Sequence, residues 1–163
     1  MINLLNFGTI LILGYVIIIT LIVGLRKSIS VTYYDLGNYT PVFTLVMWGF
    51  GLSVGIVAIE LGATFMAISG IGVIMVGAAA NYTDRLGFPT ASEMAYKVHM
   101  GGSYLCVGGS MLGAWFDFGM WYIPVIFILA SLSIRKKKNR TKWVEIFAIV
   151  LALFTLYKNL LTL

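Results

Sequence analysis

The chain contains one histidine and one cysteine, and both fall on a single helical stripe. Ser92, Tyr96, His99, Ser103, Cys106, Ser110 and Gly113 follow one another in alternating steps of four and three, the spacing of one face of an α-helix. In an apolar setting such a face has two uses. It can line a polar seam, with His99 as proton carrier, ligand contact or metal ligand. It can also bring helices close through small and weakly polar residues that hydrogen-bond across a bundle, the commoner use of Ser, Gly and Cys at this spacing. A second set is gathered by loop position: Ser30, Asp35, Asp84 and His99 would share one end of the protein, as a candidate cluster on the cytoplasmic side. No metal is expected there. Zinc takes three or four His, Cys or carboxylate ligands, and one His, one Cys and six carboxylates, none in HxxxH or HExxH spacing, make a poor set. No cofactor is expected either. Haem held by paired histidines needs a second histidine, and no lysine lies deep in an apolar run where a Schiff base would form.

The elements that carry these residues are those of a membrane protein. Of 163 residues 60% are hydrophobic and 10% charged, with a mean hydropathy of +0.97. A soluble domain carries roughly 25% charged residues, so this chain lacks the polar surface to cover itself in water. Its apolar residues also come in long runs. The first, residues 4–25, is about 33 Å long as a helix, enough for one crossing. It has no basic residue before it and Arg26 and Lys27 after it, so a first span is expected rather than a signal peptide. Residues 41–80 carry a single charge, Glu60, and would overshoot a bilayer about twofold as one helix. Two spans, 41–58 and 61–80, are therefore expected, with Glu60 at a tight turn where a carboxylate is tolerated. A fourth span, 90–116, opens with Thr90 and Glu93 in capping-box spacing and with Glu93 and Lys97 four apart in the favourable order. Spans at 118–134 and 143–160 follow, the last with Lys158 able to snorkel at its end. The expected fold is an all-α, polytopic transmembrane bundle of six helices forming a single domain.

Six spans put three longer loops on one side and two tight turns on the other. Arg26, Lys27, Asp84, Arg85, Lys97 and the basic run from Arg135 to Lys142 fall on the long-loop side, while Glu60 and Asp117 fall opposite. The positive-inside rule then makes the long loops cytoplasmic and leaves both termini outside. Five spans would scatter the basic loops over both sides. The run itself (Arg135, Lys136, Lys137, Lys138, Arg140 and Lys142) is a topology anchor that can also contact anionic lipid head groups, each charge worth about 1 kcal/mol near the surface. Nucleic acid is not an expected partner, since nothing else in the chain supports it. Glycine pairs four apart, Gly51 with Gly55 and Gly109 with Gly113, point to close helix contact within one copy, with contact to a second copy or another membrane protein as the alternative.

The layout also carries a resemblance. Ser28 and Ser30 precede Tyr34-Asp35-Leu36-Gly37 after the first span; two spans later come Gly87-Phe88-Pro89 and, ten residues on, His99 at the start of the fourth span. This layout resembles small six-span bacterial membrane proteins distantly related to the superfamily of alkaline ceramidases and adiponectin-type receptors. The resemblance implies a bacterial cytoplasmic membrane, and a zinc hydrolase site built from a Ser, an Asp and several His, with Ser30 and His99 in equivalent places. Residues 143–163 contain no histidine, so the paired histidines of that superfamily's last helix are missing and the implied hydrolase is a degenerate one. Three functions stay open on the sequence. The first is a non-catalytic membrane partner, scaffold or accessory subunit, favoured because the ionisable residues do not converge. The second is a transporter or channel-like protein using the fourth-span seam, and the third is the degenerate hydrolase.

Overall fold

The computed structural model describes residues 1–24, 29–30, 32, 36, 39–79, 89–135 and 140–162, with the backbone alone at 89–92. Among them are six α-helices and no strand: α1 (Ile2–Val23), α2 (Thr40–Glu60), α3 (Thr64–Ala79), α4 (Pro89–Leu112), α5 (Tyr122–Ser133) and α6 (Arg140–Leu160). A five-residue π-helical turn, Gly113–Asp117, prolongs α4. Three helices, α1, α2 and α6, are long and apolar enough to cross a membrane, while α3 and α5 are apolar but shorter. Large apolar side chains cover their outer surfaces, with Leu21 80% exposed and Ile10 71% exposed. In water such a surface would be an aggregation liability, and it suits lipid.

The breaks follow local chemistry. α2 ends at Glu60, and Gly62, at φ 69°, turns the chain into α3 within three residues. The expected helix break at Glu60 is thus present. α4 starts at Pro89, a residue suited to the first turn because it has no amide hydrogen to leave unbonded; Thr90 therefore lies inside the helix and not at the cap position its spacing suggested. The fifth helix is shorter than expected. Gly119, at φ 66°, and the turn around it occupy 118–121, so α5 has 12 residues, about 18 Å.

Consecutive helices run antiparallel, and glycines set how closely they approach. On the α2–α3 side a Cβ built on Gly51 would lie 2.7 Å from the Gly70 carbonyl oxygen. On the α3–α4 side one built on Gly72 would run into the Cys106 nitrogen and lie 2.6 Å from the Gly102 oxygen. These are backbone atoms that cannot swing aside, so the three helices form a slab in contact main chain to main chain. Ser69 and Ser110 hydrogen-bond across it at 2.7 Å, and the Trp48 indole N–H donates to the Ile74 carbonyl at 3.1 Å. α1 lies against α2, with Gly8 beside Ser53 and the Tyr15 ring edge-on to Phe43. α6 runs antiparallel to α1 and closes the bundle, its Ala148, Ala152, Leu153 and Leu156 turned inward. The helix ends at Val23, Thr40, Ala79, Pro89, Ser133 and Arg140 gather at one end, called here the basic end, and the turns at 61–63 and 118–121 lie at the other.

Asp117 has a role no loop residue would need. Its carboxylate accepts the Met66 amide hydrogen at 2.9 Å. It thereby caps the start of α3 from the neighbouring chain segment, where helix amides would otherwise lack partners.

Candidate functional site

The α4 stripe divides into two halves. Tyr96 points outward, 65% exposed, beside an exposed Glu93–Lys97 ion pair of 2.7 Å. From Ser103 onward the stripe turns into the bundle, but its hydroxyls are already committed. Ser103 donates to the His99 carbonyl at 2.9 Å, and Ser110 donates to the Cys106 carbonyl at 2.7 Å, which leaves Ser69 to donate to Ser110. Gly113 packs against the Met66 backbone. His99 is half-buried and its Nδ1 has no partner among the described residues. The side chain of Ser92 lies outside the described residues, as do Asp35 and Asp84, so the expected cytoplasmic-side cluster is represented by Ser30 and His99 alone.

Ser30 is drawn to a different partner, Glu145, which was not among the sequence candidates. Glu145 sits in the second turn of α6. One carboxylate oxygen accepts the Ile29 amide hydrogen, and the other accepts the Ser30 hydroxyl at 3.2 Å. The connection after α1 is thus folded back against α6, 116 residues away in sequence. The Thr32 hydroxyl donates to the Ile29 carbonyl and meets the Tyr15 hydroxyl at 2.6 Å, while the Ile29 side chain is buried in the apolar core. One turn before Glu145, the Lys142 ammonium donates to Thr20 at 2.9 Å. Lys142 is 5% exposed, so the structure removes it from the expected lipid-contact set; its stem runs inward to reach α1. Arg135 and Arg140 are exposed, and Lys136, Lys137 and Lys138 lie outside the described residues. Lys142, Glu145, Ala148 and Ala152 recur every three or four residues. That stripe was the available signal for Glu145, hidden because the charges at its start also belong to the basic run.

Above this polar latch lies a cavity of about 80 Å³ between α6 and the glycine slab. Its wall includes Ile12, Phe50, Val73, Val76, Val107 and Ile149, with Ser30, Ser103, Cys106 and Glu145 also lining it. His99 is not part of its lining.

Chemically the cluster behaves as a fastener. Glu145 accepts two hydrogen bonds that hold a loop, one from the Ile29 amide and one from the Ser30 hydroxyl. Among the described residues no three His, Cys, Asp or Glu side chains gather as metal ligands would. Comparison with known proteins adds nothing to this geometry: no family model, curated protein or solved structure matches the chain.

Proposed function

We propose that this chain is an integral membrane protein of six spans, the two shorter ones, α3 and α5, completed by the residues that flank them, with the basic end cytoplasmic and both termini outside. Support comes from the three long apolar helices, the lipid-suited outer surfaces, and the position of Lys97, Arg135, Arg140 and Lys142 near one end of an antiparallel bundle. The bacterial cytoplasmic membrane is the location that the layout resemblance favours. Cysteine accessibility tests this arrangement. In a Cys106→Ala background, single cysteines at Glu60 and Asp117 should react with an impermeant thiol reagent on intact cells, and those at Ser30, Thr83 and Asn139 should not. Labelling that differs between Thr83 and Asn139 would overturn the six-span count.

Its role is that of a non-catalytic partner, scaffold or accessory subunit. The observation that carries this reading is the commitment of Glu145 to the Ile29 amide and Ser30 hydroxyl, which makes the best-placed interior carboxylate a structural tie. The same reading suits the α4 seam, where Ser103 and Ser110 are bonded to carbonyls of their own helix instead of facing a path for solute. Complementation in the native host gives the test: Ser30→Ala, His99→Ala and Cys106→Ala variants, checked for folded yield, should each restore the null-strain phenotype. A folded variant among them that fails would move the assignment to an enzyme or a transporter. Anionic lipid contact at Arg135 and Arg140, and association with a second copy or another membrane protein, belong to the same proposal.

A further inference from the structure

The cavity between α6 and the glycine slab stands apart from the partner role, and we infer that it is a binding site for a small uncharged apolar molecule. Three observations converge. The space is lined almost wholly by apolar surface, with Ile12, Phe50, Val73, Val76, Val107 and Ile149 forming most of its wall. The hydroxyls that reach it are engaged elsewhere, Ser30 donating to Glu145 and Ser103 to the His99 carbonyl. A water molecule is held by two to four polar partners, so this lining favours an apolar guest over water. Its walls are also unequal. On one side the slab is fixed by backbone contact at Gly51, Gly72 and Gly102. On the other, α6 is tied near its two ends. Lys142 reaches Thr20 and Glu145 reaches Ile29 and Ser30 at one end, while Tyr157 reaches Asn6 and Thr9 at the other. Between those ties α6 presents Ala148 and Ile149 to the cavity, so a modest outward bow of α6 admits a guest without breaking a hydrogen bond.

Size fixes the class of ligand. At about 80 Å³ the cavity is roughly half the ~150 Å³ apolar void known to take benzene. It fits xenon or a hydrocarbon of about four carbons, supplied either as a free molecule or as the end of a lipid chain. A charged or hydrogen-bonding ligand would leave its polar groups unpaired there.

The test uses the full chain and xenon as probe. In a fluorinated detergent, whose chains mix poorly with hydrocarbon, the delipidated protein should give a saturable xenon NMR shift. Ala148→Leu fills the cavity from α6 and Val107→Phe fills it from α4. Whichever folds should bind xenon at least tenfold more weakly, and its unfolding temperature without ligand should not fall. Repeating the titration in lipid nanodiscs separates the sources: undiminished binding points to a free guest, and loss of binding on lipid addition points to a lipid chain end. Xenon uptake that only rises linearly, as in protein-free micelles, overturns the inference. So does equal saturable binding by a folded, cavity-filled variant. Neither result bears on the topology or the partner role, which are read by thiol labelling and complementation.

Discussion

The slab of α2, α3 and α4 and the single helix α6 line the same cavity, yet they are held by different means. In the slab, glycines bring main chains into contact and dispersion acts over the whole length of each helix, with few side-chain hydrogen bonds needed. α6 has no such glycine seam. Beside its buried Ala152, Leu153 and Leu156, it is positioned by a handful of long polar side chains: Lys142 and Glu145 at the basic end, Tyr157 bonded to Asn6 at 2.6 Å and Lys158 bonded to Tyr122 at 3.1 Å at the other. Backbone packing is stiff and fails all at once when a side chain is added. A polar tie fails singly, and hydrogen bonds between membrane helices average only about 0.6 kcal/mol each. The comparison teaches that the rigid and the adjustable walls of this protein were assigned by residue size in one case and by residue polarity in the other.

The largest effect should come from attacking the slab. Gly72→Ala drives a methyl group into the Cys106 and Gly102 backbones and should destabilise the protein by about 3 kcal/mol or more, or abolish folded yield, read by unfolding in micelles. Glu145→Ala comes next. It strands the Ile29 amide and the Ser30 hydroxyl, and should cost about 2 kcal/mol while raising hydrogen exchange at the Ile29 amide and leaving α3 and α4 protected. If Glu145→Ala proves more damaging than Gly72→Ala, or loosens the slab equally, the division between the two walls is wrong. Ser110→Ala removes the hydroxyl contact between α3 and α4 and should cost no more than about 1 kcal/mol, because glycine packing on either side of it survives. Smallest of all, Gly14→Ala has nothing within 4 Å of the new methyl group. It should be neutral or stabilising by up to ~1 kcal/mol, the ordinary helix preference of alanine.

Much of this fold was legible in the sequence, because it follows from local rules. The forty-residue run had to break, and Glu60 marked the place. The close approach of α3 to α4 was written in Gly109 and Gly113. The Glu93–Lys97 pair needed nothing beyond helix spacing. What escaped depends on contacts between residues far apart in the chain. Nothing local to Ile29 announces that a loop residue will be buried against α6, and nothing local to Lys142 distinguishes it from the lysines before it. Periodicity on α4 was a true signal of an inward face, but the stripe could not say that its hydroxyls would be satisfied within the same helix. The polar centre of the molecule formed instead where α6 meets the connection after α1. Only the packing of those two segments reveals it.

The π-helical turn at Gly113–Asp117 has a consequence for how this protein can change in length. Such a turn holds one more residue than the α-helical turn it replaces. Deleting one residue within it would restore ordinary pitch with little change of phase beyond it, whereas a deletion or insertion elsewhere in α4 would rotate everything downstream by about 100° about the helix axis. Asp117 would then swing away from the Met66 amide that it caps. The chain could not recover by sliding, because Gly72, Gly102 and Gly109 hold α4 against α3 main chain to main chain. Length changes in α4 outside this turn should therefore be filtered out as strictly as substitutions at a catalytic residue, although no chemistry takes place there.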